Sequence, residues 1–94
     1  MTDADLLAAL RDCYDSLLRR NIVDLNLVRS AHLTPDPEAP GPIPRFIAHI
    51  QLTAPTADEA ANAQLQAQIE NRLMGLEPIS TVQITLLPPL FSIL

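Results

Sequence analysis

Apolar residues recur along the chain with two different periods, and these divide it into five elements. Leu6, Leu10, Cys13 and Leu17 follow one another at steps of four, three and four. Leu7, Tyr14 and Leu18 widen that stripe, so the spacing predicts an amphipathic helix from Asp3 to Arg19. Thr2 and Asp5 resemble a capping box with Asp in place of Glu. Asp3 and Asp5 suit the positive end of the helix dipole, and Arg19 and Arg20 suit its negative end. The segment Asn21 to Val28 opens as a turn, in which Asn26 tolerates left-handed backbone.

The period then falls to two. A strand is predicted from Leu27 to Leu33, with Leu27, Ala31 and Leu33 on one face and Val28, Ser30 and His32 on the other. Residues Thr34 to Pro44 carry Pro35, Pro37, Pro40, Pro42 and Pro44, which fix φ and remove backbone donors. A stiff hairpin connector is expected there. From Arg45 to Thr53 a second strand alternates Phe46, Ala48, Ile50 and Leu52 with Arg45, Ile47, His49 and Gln51, and Pro55 stops it. Thr56 followed by Glu59 reads as a capping box that opens a second helix. That helix runs to about Met74, with Leu65, Ile69, Leu73 and Leu76 as its stripe, Ala61 one turn earlier and Gly75 as its terminator. A third strand, Ile79 to Leu87, places Val82, Ile84 and Leu86 opposite Thr81, Gln83 and Thr85. After Pro88-Pro89, residues 90–94 form an apolar tail that must be covered by the domain or by another copy.

The order helix, strand, strand, helix, strand predicts an α+β fold of two layers. The first two strands form an antiparallel hairpin, and the helical crossover makes the third parallel to the second. The result is a small mixed three-stranded sheet with both helices on one face. A chain of 94 residues holds one modest core, so one domain is expected across 1–94.

Composition removes several classes of function. All six basic residues are Arg, and against 11 acids the net charge is −5, so the positive footprint of a nucleic-acid module is missing. One Tyr, two Phe and no Trp make a base-stacking platform a poor fit. A single cysteine forms no internal disulfide, which suits a reducing compartment, and no signal peptide or bilayer-length apolar run is seen. A cytoplasmic protein with no membrane association is the expectation. The apolar tail adds the expectation of a homodimer.

Candidate chemistry is sparse. The two glycines, Gly41 and Gly75, are too far apart for a phosphate loop, and no nucleophile with a tuned base stands out, so an enzyme is not expected. A small active site built on Asp24 and the threonines is a further reading, with nothing to supply a nucleophile. Cys13 reads as an inert core thiol. His32 and His49 fall on the two hairpin strands and can be cross-strand neighbours, but two imidazoles alone make a poor zinc site. No cofactor is assigned. Asp24 lies in an apolar run. It either accepts backbone N–H groups in the turn or contributes to a pocket with Thr53 and Thr56.

The runs Leu6-Leu7-Ala8-Ala9-Leu10, Cys13-Tyr14-Asp15 and Asn21-Ile22-Val23-Asp24-Leu25-Asn26-Leu27-Val28 resemble the opening of the small metal–sulfur cluster biosynthesis proteins. That family includes accessory proteins of iron–sulfur cluster assembly, of the Suf type, and of phenylacetate-oxygenase maturation. Leu52-Thr53-Ala54-Pro55 resembles its Leu-Thr-Thr-Pro, and Leu87-Pro88-Pro89 its Asp-Pro-Pro. The resemblance spans nearly the whole chain and is most specific at Asn-Ile-Val-Asp-Leu. It departs where the family carries a reactive cysteine: Ala57 stands at that place by direct counting. The family's Tyr-Asp-Pro-Glu is here Tyr14-Asp15-Ser16-Leu17, and its Trp after Pro-Pro is Leu90 or Phe91. The resemblance implies a degenerate member lacking the family cysteine. Of the family pocket, Asp15, Asp24 and Thr53 carry over, with Thr56 beside them. Such a chain would be an accessory or adaptor protein that meets cluster-assembly or target proteins. The alternative is a metal or iron–sulfur carrier using Cys13, His32 or His49 across a dimer interface.

Overall fold

The computed structural model describes residues 1–15, 18–39 and 41–88. Its elements are α1 (Asp3–Leu10), β1 (Val28–Pro35), β2 (Phe46–Thr53), α2 (Glu59–Met74) and β3 (Ile79–Leu87). The expected apolar tail at 90–94 lies outside the described residues.

The α1 cap forms as the sequence predicts. Thr2 Oγ1 accepts from the Asp5 N–H at 3.3 Å, and Asp5 Oδ2 accepts from the Thr2 N–H at 2.8 Å. The helix stops at Leu10, however, not at Arg19. Cys13 accepts from the Ile22 N–H at 3.0 Å, and Tyr14 bridges antiparallel to Asn21. Backbone groups that a continued helix would pair internally are taken by more distant parts of the chain. Tyr14 and Leu18, expected on the buried stripe, are exposed as a result, and Leu7 is only partly covered.

β1 and β2 pair antiparallel, and β2 and β3 pair parallel, in the order β1-β2-β3. One expected face assignment changes. A bulge at Arg29 puts an extra residue between Val28, which pairs with Leu52, and Ser30, which pairs with Gln51. It returns Val28 to the core side with Ala31 and Leu33. Asn26 adopts a φ of 59°, as its side chain permits.

The core fills the space between the sheet and the two helices. Leu6, Leu10, Cys13, Ile22, Ile50, Leu52, Ile69, Leu73 and Ile79 are its fully enclosed members. Both helices therefore cover one face of the sheet. The opposite face carries the alternate positions of each strand and no layer among the described residues. No described helix is long and apolar enough to cross a membrane.

α2 begins later than Thr56 predicts. Asp58 is the N-cap, its Oδ1 accepting from the Ala60 N–H at 3.0 Å. Thr56 sits one step further out and accepts from the Asp58 N–H at 3.2 Å. Aspartate is a stronger cap than threonine, and two capping side chains in series close the β2–α2 connection. Gly75 ends the helix in right-handed backbone, so its missing side chain is not needed for a left-handed turn.

Candidate functional site

The junction between β2 and α2 is where the family resemblance places a reactive thiol. Ala57 occupies it, exposed on the connecting loop. Thr53, at the end of β2, is buried and held from two sides. Its N–H donates to the Leu27 carbonyl at 2.7 Å, and its Oγ1 accepts from Arg29 Nε at 3.0 Å. The Arg29 side chain reaches back from the β1 bulge to make that contact. Thr56, half-buried, gives its hydroxyl oxygen to Asp58 and its carbonyl to Asn62 Nδ2 at 2.9 Å.

Asn62 and Arg29 escape the sequence reading. Asn62, not Ala61, is the buried residue one turn before Leu65. The spacing 62, 65, 69, 73 points to it, but its polar side chain argues against a core position. Its Oδ1 is buried with no partner among the described residues. Arg29 is invisible because only the bulge turns it toward Thr53. The junction thus offers a guanidinium, two hydroxyls and an amide. It can hydrogen-bond, but it carries no thiolate or imidazole to ligate a metal.

The two acids of the expected pocket have partners of their own. Asp24 is exposed on the turn before β1. Its Oδ2 accepts from Asn21 Nδ2 at 2.9 Å, while its own N–H donates to Asn21 Oδ1 at 2.8 Å. Asp15 is buried and closes the following loop by accepting from the Leu18 N–H at 2.8 Å. It also lines a small cleft of about 70 Å³ against α2, with Tyr14, Ala61, Gln64, Leu65 and Gln68. Gln68 fastens that side: the Tyr14 N–H donates to its Oε1 at 2.8 Å and its Nε2 donates to the Tyr14 carbonyl at 3.1 Å. Thr53 and Thr56 both lie at the junction and hold different partners there, and Asp15 and Asp24 each hydrogen-bond within a local turn.

Cys13 is fully enclosed among Leu6, Leu10 and Ile22 in the core. Burial pushes its thiol pKa up. The Arg72 guanidinium pulls it down and Asp12 raises it further, and burial is the largest of the three. A buried thiol held in its protonated form is a poor ligand. His32 and His49 lie on the far face of the sheet from it. They are directly paired across β1 and β2, with ring centroids 4.9 Å apart. One site within a single chain cannot use Cys13 together with this pair. Among the described residues no group of three or more His, Cys, Asp and Glu side chains converges.

No protein-family model matches the chain, and no curated protein does. Solved structures do. The crystal structure of a domain of unknown function, DUF59, from Bacillus anthracis matches with a TM-score of 0.70 and 20% identity, covering 90% of this chain and 73% of that one. The solution structure of a Mycobacterium tuberculosis protein associated with Fe-S complex assembly and repair matches with a TM-score of 0.62 and 26% identity. It covers 95% of this chain and 71% of that one. This chain is similar in fold to a DUF59 domain and to a protein associated with Fe-S complex assembly and repair.

Proposed function

We propose that this chain is an accessory or adaptor protein of iron–sulfur cluster assembly or metalloprotein maturation. It works by contact with assembly or target proteins and not by holding a cluster on a thiolate of its own. The observation that carries this reading is a combination. The fold is shared with a protein associated with Fe-S assembly, while Ala57 occupies the junction and Cys13 is sealed in the core. Cluster ligation of the usual kind needs accessible cysteine sulfur.

A surface for such contact follows from the sheet edges. β1 is a blunted edge: it carries the Arg29 bulge, it ends at Pro35, and its Leu33 N–H donates to Asp3 Oδ1 at 3.0 Å. β3 has none of these protections. Its nine residues include no charge and no proline, and its outer edge pairs with no described strand. An edge of this kind accepts a further strand. With no charge to repel a like strand, it also suits a homodimer.

Two measurements test the reading. The untagged chain, treated anaerobically with iron and sulfide and then desalted, is expected to retain neither. Stoichiometric iron and sulfide on the chain, lost in Cys13→Ala, would overturn it. In a pull-down analysed by mass spectrometry, the chain is expected to retain a cluster scaffold or an apo iron–sulfur client. The Thr81→Lys/Thr85→Lys variant of β3 is expected to lose it. Retention of no such protein by the parent chain counts equally against the proposal.

A further inference from the structure

The uncovered face of the sheet carries a pair of side chains that the adaptor reading does not use. His32 on β1 stands directly opposite His49 on β2. Their ring centroids are 4.9 Å apart, and the ring planes differ by 16°. His32 is exposed and His49 half-buried. Thr34 Oγ1 lies 2.7 Å from His49 Nε2, and Gln83 is the β3 neighbour of His49.

Neutral imidazole nitrogen is a good ligand for borderline transition metals. Two imidazoles bound side by side place their nitrogens about 2.0–2.1 Å from the ion, which sets the ring centres roughly 4.5–5.2 Å apart. The observed 4.9 Å falls in that span. The rings now lie face to face, so His32 must turn about its Cβ–Cγ bond to aim a lone pair at the same point. Its exposure leaves it room to do so.

Thr34 supplies a second element of such a site. A ligating histidine commonly gives its other ring N–H to a nearby oxygen, which fixes the tautomer. If His49 donates from Nε2 to Thr34 Oγ1, its Nδ1 is left with the lone pair. The register surrounds the pair with neutral groups on this face, among them Gln51, Thr81, Gln83 and Thr85. A site without carboxylates does not suit hard cations such as Mg²⁺ or Ca²⁺.

We propose that His32 and His49 form a two-imidazole site for a borderline divalent transition metal ion, with water in the remaining positions and Thr34 as a positioning residue. Cu²⁺ binds most tightly, with Ni²⁺ and Zn²⁺ weaker, following the Irving–Williams order. An open site with only two protein ligands exchanges its ion readily. The proposal does not depend on the adaptor reading, because iron–sulfur reconstitution and copper titration report on different groups.

The test uses the untagged chain with one equivalent of Cu²⁺, read by calorimetry and by electron paramagnetic resonance. The expected result is one bound ion with two imidazole nitrogens in its equatorial plane. His32→Gln and His49→Gln are each expected to lose one of those nitrogens and weaken binding, and the double variant to abolish the site. Both substitutions are on an open face, and circular dichroism verifies that each variant is folded. Thr34→Val is expected to weaken binding by about tenfold while keeping two nitrogens. The proposal is overturned if the parent chain does not bind, or if binding and the nitrogen signature are unchanged in the double variant. The latter is the behaviour of a copper site at the amino terminus.

Discussion

Cys13 offers the sharpest test of the structural argument, because a core thiol and a ligand thiol respond in opposite ways to the same two substitutions. Cys13→Ala removes a sulfur atom from a fully enclosed site. That atom is about the size of a methylene, so the lost burial is about 1 kcal/mol. Incomplete closure of the space adds to it, for a total of about 1–2 kcal/mol. Cys13→Ser keeps the shape but sets a hydroxyl among Leu6, Leu10 and Ile22. An unpaired hydroxyl there costs about 1–3 kcal/mol, so serine is expected to be no better than alanine. Urea unfolding of the three proteins measures both differences. Labelling by a thiol reagent gives a second reading. For a domain with about 5 kcal/mol of stability, a thiol reached only by opening of the core reacts roughly 5,000-fold slower than in urea. The pH dependence has a definite sign. Burial raises the folded pKa above the unfolded one, so this contribution to stability is complete below the unfolded thiol pKa. It is lost as pH rises through the folded value. Variants within about 0.5 kcal/mol of the parent, with labelling at the rate of a free thiol, would refute the core placement.

Two further substitutions examine local structure. Asp58→Ala removes the α2 N-cap and is expected to cost about 1 kcal/mol. Thr56→Ala removes only the outer hydrogen bond, at about 0.5 kcal/mol. Thermal unfolding that ranked Thr56 above Asp58 would restore the cap predicted from the sequence. Asp36 is held below its ordinary pKa by the Ser80 hydroxyl and then by the Glu38 N–H, against a small opposing effect of desolvation. Its folded pKa being depressed, the stabilisation is present above the unfolded carboxylate pKa and is lost as pH falls through the folded value. Asp36→Asn is expected to flatten the acid side of the stability profile, and an unchanged slope would show that the Ser80 contact contributes nothing.

Several features of the site needed no tertiary information. The register of two alternating strands around the proline connector sets His32 opposite His49. The side chain of Asn26 permits the backbone it adopts. Cys13 is in the core as the apolar spacing predicts, but from the turn after α1 and not from the longer helix that spacing implies. Arg29 and Asn62 are different. Their positions depend on a bulge that turns one strand and on a loop carbonyl that offers a buried amide a partner.

Local periodicity was enough to determine the element order, because inside–outside alternation is written along each segment, and the crossover rule then made the sheet mixed. The end of α1 was decided only by the folded whole. The stripe through Cys13 permits a helix to Arg19, but Gln68 on α2 takes both backbone groups of Tyr14, and Ile22 takes the carbonyl of Cys13. Hydrogen bonds from residues distant in sequence replaced those a longer helix would have made within itself, and no pattern confined to the first twenty residues records that competition.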